Sequence, residues 1–205
     1  MKKTCKQIFF TKRLYNTFKI TNLKFNSNLE FLTPEILKKH YQELKENLRQ
    51  THIEQHLVGT FFPVEHHDAY YTIFSLNNEL TKIKSDDFNA SIIRMTWWKE
   101  NINLSIQGNP PNVPVLLCLS DIAKKYDLKT LHFRQILKWR ETDLKWKQPP
   151  SLKSIEEYSE GTYSQIFYIL LKILNIKDHQ AEHAAVCPKI PFFINFFNRV
   201  TSEKL

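Results

Sequence analysis

Glycine is scarce in this sequence: 3 in 205 residues. That scarcity excludes a turn-rich β protein and any glycine loop built to cradle phosphates. Long apolar runs are also missing. The longest, residues 166–171, is closed by Lys172 and falls far short of the roughly 20 residues that cross a bilayer. Cysteine is sparse too. Cys5, Cys118 and Cys187 share no metal-ligand spacing and imply no disulfide framework, as expected in a reducing compartment.

Acid is missing from one end. Residues 1–29 hold Lys2, Lys3, Lys6, Lys12, Arg13, Lys19 and Lys24 and no Asp or Glu, whereas the remainder carries 22 basic and 21 acidic residues. The net charge of +8 therefore belongs to the N-terminal segment. A near-neutral body offers little to a phosphate backbone, so nucleic acid is not expected as a partner. If the basic segment is helical, Phe10, Leu14 and Phe18 fall on one face, with Lys3, Lys6 and Arg13 largely off it. This is the pattern of a mitochondrial transit peptide, and a basic disordered tail is the alternative. The expected organisation is a leader or tail over 1–29 and a helical domain over 30–205.

What is present reads as helix after helix. Thr33-Pro34-Glu35 supplies an N-cap, an N1 proline and an early acid, opening a helix to about Arg49. Pro63 and Glu65 precede a stretch in which Ala69, Tyr70, Ile73, Phe74, Asn77, Leu80 and Thr81 follow helical spacing. Asp86 or Asp87 caps the next helix, which ends near Gly108 before Asn109-Pro110-Pro111-Asn112. Pro114 starts another, with Leu116, Leu117, Leu119 and Ile122 buried. A helix from Thr130 to about Leu144 follows. Ser154 and Glu157 form a capping-box pattern ahead of the apolar residues 166–174, and a short helix begins at Asp178. Of Trp97 and Trp98, about 100° apart on a helix, one is expected in the core. The class is all-α.

Three patterns suggest chemistry and fail on context. His179-Gln180-Ala181-Glu182-His183 fits the inverted zinc-peptidase motif, but only Glu203 follows as an acid. The pairs Glu156/Glu160 and Asp178/Glu182 lack the apolar surroundings that would tune a buried dyad. His52 and His56 share a face, with the intervening Glu at the wrong offset for a zinc motif.

From about Tyr41 to Ala185 the order of features resembles the squalene/phytoene synthase family. The residues that carry it are Phe61-Phe62-Pro63-x-Glu65 and the following helix, Arg94-Met95-Thr96-Trp97-Trp98-Lys99, and Pro111-Asn112-Val113-Pro114-Val115. Arg140-Glu141-Thr142-Asp143-Leu144 and Glu156-Glu157-Tyr158 with Thr162-Tyr163-Ser164 resemble segments that line the family's cavity. The resemblance implies a trans-isoprenyl diphosphate synthase-like helical bundle, here expected to be incomplete at its C-terminus.

In the synthases, aspartates at i and i+4 of a core helix hold Mg²⁺ against substrate diphosphate, because a hard cation wants anionic oxygen. Registered on Phe62-Pro63, the aspartates correspond to Thr81 and Ser85, and the preceding tyrosine and arginine correspond to Phe74 and Asn78. Phe74, Asn78, Thr81 and Ser85 are thus the positions of a vestigial site. Hydroxyls bring no negative charge, and Lys82 and Lys84 would oppose a cation. The chain reaches Leu205 before the family's second aspartate motif. No catalytic, cofactor-binding or metal-binding residue is expected, and no cofactor.

Phe74-Ser75-Leu76-Asn77-Asn78-Glu79-Leu80-Thr81-Lys82-Ile83-Lys84 is similar to the core helix of the family's mitochondrial complex I assembly branch, with Asn78 taken as the matching asparagine. That similarity implies a non-catalytic role early in complex I assembly, peripheral to the inner membrane on its matrix side. The implied partners are complex I subunits or other assembly factors. Two alternatives stand beside it: a residual isoprenyl diphosphate transferase, and an isoprenoid or lipid carrier.

Overall fold

The computed structural model describes residues 33–146 and 148–186. The expectations for residues 1–29 and for the segment around Pro188 and Pro191 lie outside these residues. The chain divides into two units, residues 1–37 and 38–205. Of the first, the described part is the opening of one helix, where the Ile36 N–H donates to Thr33 Oγ1 at 3.4 Å.

All regular structure among the described residues is helical. The elements are α1 (Pro34–Thr51), α2 (Ile53–Thr60), a 3₁₀ turn (Val64–His66), α3 (His67–Thr81), α4 (Phe88–Ile106) and α5 (Pro114–Lys125). They continue with α6 (Thr130–Leu144), α7 (Leu152–Ser159), a π-helical turn (Glu160–Ser164), α8 (Gln165–Ile173) and α9 (His179–Val186).

Local chemistry sets most of these limits. Asp87 caps α4, its Oδ1 accepting the N–H groups of Asn89 at 2.8 Å and Ala90 at 3.3 Å. Gly108, at φ 88°, closes the same helix. Its left-handed backbone lets the Asn109 N–H return to Leu104 O at 2.8 Å and satisfy a terminal carbonyl. Asp127 and Asn175 take the same conformation after α5 and α8, as two of the few side chains that tolerate it.

Helix α3 is the centre. Every residue from Ala69 to Asn78 is buried, and α3 packs on α5, α6 and α8. Helix α4 lies across α5 and α6. Leu44 and Leu48 fasten α1 by its buried face. The Tyr41 hydroxyl adds a bond to Asp121 Oδ2 at 2.7 Å, and its burial together with that carboxylate raises the phenol pKa.

Four features differ from the sequence expectations. Helix α2 has no counterpart among them. The α7 cap is Ser151, whose Oγ accepts the Ser154 N–H at 3.1 Å, so the helix starts ahead of Ser154. Trp97 and Trp98 are both half-buried and meet edge to face at 5.2 Å, sharing the rim that one of them was expected to leave. The π turn is the fourth. Its widened backbone brings Gly161 against Trp139 so closely that a Cβ there would stand 1.7 Å from the indole Cδ1.

Candidate functional site around the core helix

The two adjacent asparagines of α3 serve different neighbourhoods. Asn77 turns inward, where its Oδ1 accepts a bond from Arg140 Nη2 at 2.8 Å. Arg140 Nη1 donates to the Tyr158 hydroxyl at 2.6 Å, and the guanidinium stands 5.6 Å from that ring's centre. One buried side chain from α6 thereby ties α3 to α7. Burial works against the charge of Arg140, but Tyr158, Tyr163 and Asp143 outweigh it and hold its pKa above the ordinary value. Arg140 Nε, Asn77 Nδ2 and Ser164 Oγ are buried without a hydrogen-bond partner. A desolvated cation held by neutral oxygens stabilises little by itself, and removing its partners is costly. This cluster links α3, α6 and α7.

Asn78 faces the other way, donating from Nδ2 to Gln55 Oε1 of α2 at 3.3 Å. Phe74, one turn earlier, is buried and its ring lies 4.6 Å from that of Tyr70. Thr81 is half-buried and its hydroxyl returns to Asn78 O at 2.7 Å. Ser85 is exposed. Its Oγ donates to Asp87 O at 3.2 Å, and its N–H donates to Ser91 Oγ at 3.1 Å. So the structure brings Phe74, Asn78 and Thr81 onto α3 and places Ser85 in the cap of α4.

An i, i+4 pair on one helix was expected at Thr81 and Ser85, but α3 ends at Thr81. The chain leaves the helix to bury Ile83 and to dock Lys84. Lys84 Nζ donates to Asp143 O at 3.2 Å, Asp143 Oδ1 at 3.3 Å and Trp146 O at 3.2 Å. An ammonium thus meets the Asp143 carbonyl in the last turn of α6 and the Trp146 carbonyl just beyond it, where a positive charge is favoured. Lys82 is held by Glu79 at 2.6 Å. Burial, and then Lys82, lower the pKa of nearby His52. Both lysines beside the site are thus already paired with carboxylates.

The interior beside Asn77 is nearly closed. A cavity of about 10 Å³ remains between Ile73, Leu76 and Leu80 of α3 and Ile102, Phe133, Ile136, Ile166 and Ile169. That is room for about one water, against the 300–1,000 Å³ typical of small-molecule sites. A separate open cleft of about 750 Å³ is lined by Tyr126, His132, Tyr168, Lys172, Lys177, His179 and Glu182 among others. His179 and Glu182 of the zinc-like motif thus face an open cleft, and the side chain of His183 lies outside the described residues. Cys118 is fully buried, and burial followed by Asp121 pushes its thiol up to about 12, which leaves it unreactive.

Sequence reasoning passed over Gln55, Lys84 as a helix cap, and the burial of Arg140. The last left a legible sign. Phe133, Ile136, Leu137 and Arg140 fall at i, i+3, i+4 and i+7, which places the arginine on the apolar face of α6.

A sequence model of the squalene/phytoene synthase family matches residues 48–187. The human protein named NADH dehydrogenase (ubiquinone) complex I, assembly factor 6 is 32% identical over 142 residues, covering 68% of this chain and 43% of that protein. A Drosophila melanogaster homolog of that factor is 24% identical over 145 residues, covering 64% and 42%. The chain spans less than half the length of the curated relatives it matches. Among solved structures, a squalene synthase from Alicyclobacillus acidocaldarius superposes with a TM-score of 0.66 at 12% identity, over 75% of this chain and 58% of that one. A dehydrosqualene synthase crystallised with a ligand gives 0.59 at 18% identity, over 68% and 48%. The all-helical synthase fold is shared.

Proposed function

The chain belongs to the squalene/phytoene synthase family, and from that premise we propose that it works without catalysis, as an assembly factor for mitochondrial respiratory complex I. The observation that carries this reading is the set of curated relatives about 30% identical over two thirds of the chain, each named as a complex I assembly factor. The site chemistry supports it. Thr81 and Ser85 stand where the resemblance puts metal-binding carboxylates, and they lie on different elements, one exposed and one half-buried. Lys82 and Lys84 flank them, each already paired with a carboxylate, Glu79 and Asp143. Metal-assisted ionisation of a diphosphate needs anionic oxygen, and these positions offer none.

The proposed place of action is the matrix side of the inner membrane, reached by means of residues 1–29, with complex I subunits or other assembly factors as partners. No helix among the described residues is long and apolar enough to cross a membrane, which is compatible with a peripheral position. Two competing readings are less well supported. A residual transferase lacks carboxylates at the register positions. For an isoprenoid carrier, the interior beside α3 leaves only about 10 Å³, and the cleft of about 750 Å³ is open and carries Lys172, Lys177, His179 and Glu182 in its lining.

Removal of the protein followed by native gels of respiratory complexes tests the reading. Reduced complex I is expected, with the other complexes retained, and unchanged complex I abundance would refute it. Separately, residues 1–29 fused to a reporter should carry it into the matrix. Replacing Lys3, Lys6 and Arg13 with Glu should leave the reporter in the cytosol.

A further inference from the structure

Residues 50–81 contain no Lys or Arg, in a chain that has 29. The same stretch displays highly exposed apolar side chains: Phe61 at 90% and Val64 at 78%, with Ile53, Leu57 and Val58 each more than half exposed. Ile53, Leu57 and Phe61 recur at four-residue steps along α2 and its C-cap, so they stack on one face. Val64, in the 3₁₀ turn that follows, is a further exposed apolar side chain close by in sequence. Contiguous apolar surface of this kind marks an interaction site, whereas isolated exposed apolar residues need no explanation.

Helix α2 cannot roll over to hide the stripe. On its other side Gly59 lies against the core aromatics, where a Cβ would stand 2.6 Å from the Tyr70 ring. The Tyr70 hydroxyl donates to Gln55 O at 2.9 Å and that of Tyr71 to His56 O at 3.4 Å. The face is held rigidly outward.

Its charge selects the occupant. Glu54 and Glu65 are exposed at the two ends of the stripe, and among the described residues neither forms an ion pair. The cations nearest in sequence are occupied: Arg49 by Glu46 at 2.7 Å and Lys82 by Glu79 at 2.6 Å. Lys45 lies over the Tyr71 ring at 5.2 Å. We propose that this stripe is a docking surface for a protein partner presenting an amphipathic helix whose apolar face is bordered by Lys or Arg. An anionic membrane fits less well, because interfacial faces depend on the basic residues this stretch lacks. A second copy would set Glu54 and Glu65 against their own like charges. The inference goes beyond the assembly reading, since it stands on the chemistry of this surface alone.

The test uses the full chain and two synthetic helical peptides with the same leucine face, one bordered by lysine and the other by glutamate. Calorimetry should show the lysine-bordered peptide binding at least about 10-fold more tightly. Phe61→Ser with Leu57→Ser should weaken it by at least about 10-fold, as expected for a central apolar anchor. Glu54→Lys with Glu65→Lys should reverse the preference. These side chains are exposed, so unchanged thermal unfolding serves as the folding control. Failure of the lysine-bordered peptide to bind, equal binding of both peptides, or indifference to Phe61→Ser would each overturn the proposal. So would recruitment to phosphatidylcholine–cardiolipin vesicles, or a concentration-dependent dimer, that is abolished by Phe61→Ser.

Discussion

Helix α3 and the segment before it are both rich in apolar and aromatic residues, yet they meet opposite fates. In α3 every side chain from Ala69 to Asn78 is buried, polar ones included. In α2 the one buried residue is Gly59, while Phe61 just beyond it is almost wholly exposed. Hydrophobicity does not separate the two. Neighbours do: α3 has α5, α6 and α8 around it, whereas α2 rests chiefly on α3. A buried helix can also retain Asn77, Asn78 and Thr72, because a partner reaches at least one polar atom of each. Thr72 returns its hydroxyl to Asp68 O at 2.7 Å.

The same substitution on either side of this divide gives the largest contrast. Phe74→Ala should cost about 3–5 kcal/mol, as for a phenylalanine removed from a packed core. Phe61→Ala should stay within about 0.5 kcal/mol, as for a surface change. Urea unfolding of both variants measures this directly, and equal costs would break the comparison.

Overpacking should come next. Gly161→Ala drives a methyl group into Trp139 and should cost about 1–3 kcal/mol, read as a lowered thermal midpoint.

The polar interior of α3 can be examined by a double-mutant cycle. Arg140→Met leaves the buried Asn77 Oδ1 without the donor it has in Arg140, at about 1–3 kcal/mol. Adding Asn77→Leu removes one orphan, so the double variant should lose less than the sum of the singles. Additive losses would mean that the two side chains are not coupled.

The smallest effect is expected at the register positions of the synthase aspartates. Thr81→Asp with Ser85→Asp should cost no more than about 1 kcal/mol, most of it from an acid in the last turn of α3. With Mg²⁺ and farnesyl diphosphate, the variant should release no diphosphate above background. Release above background would return the transferase reading to contention.

Much of the architecture was legible in order and spacing. Asp86 or Asp87, Gly108, Pro114 and Thr130 announced helix limits because capping and backbone restriction act over three or four residues. The burial of Leu116, Leu119 and Ile122 followed from periodicity. Helix α2 was missed although Ile53, Leu57 and Phe61 recur at helical spacing, because it is only 8 residues long with no side-chain cap and Pro63 draws attention to the next element. The π turn was missed because it answers to Trp139, some twenty residues away in sequence.

At the candidate site the division is sharper still. The chain by itself determined that hydroxyls stand at Thr81 and Ser85 and that lysines flank them, since residue identity fixes charge. It also determined where the basic residues are concentrated and that residues 50–81 have none. Tertiary structure alone decided that α3 stops at Thr81, that Lys84 caps α6, that Arg140 is sealed between Asn77 and Tyr158, and that the space beside them is closed. Each of these is a contact between segments distant in sequence. Such contacts are chosen by which buried polar groups find partners and which volumes are filled once the helices assemble; periodicity puts Arg140 on the apolar face of α6, but no local pattern names the partners it meets there.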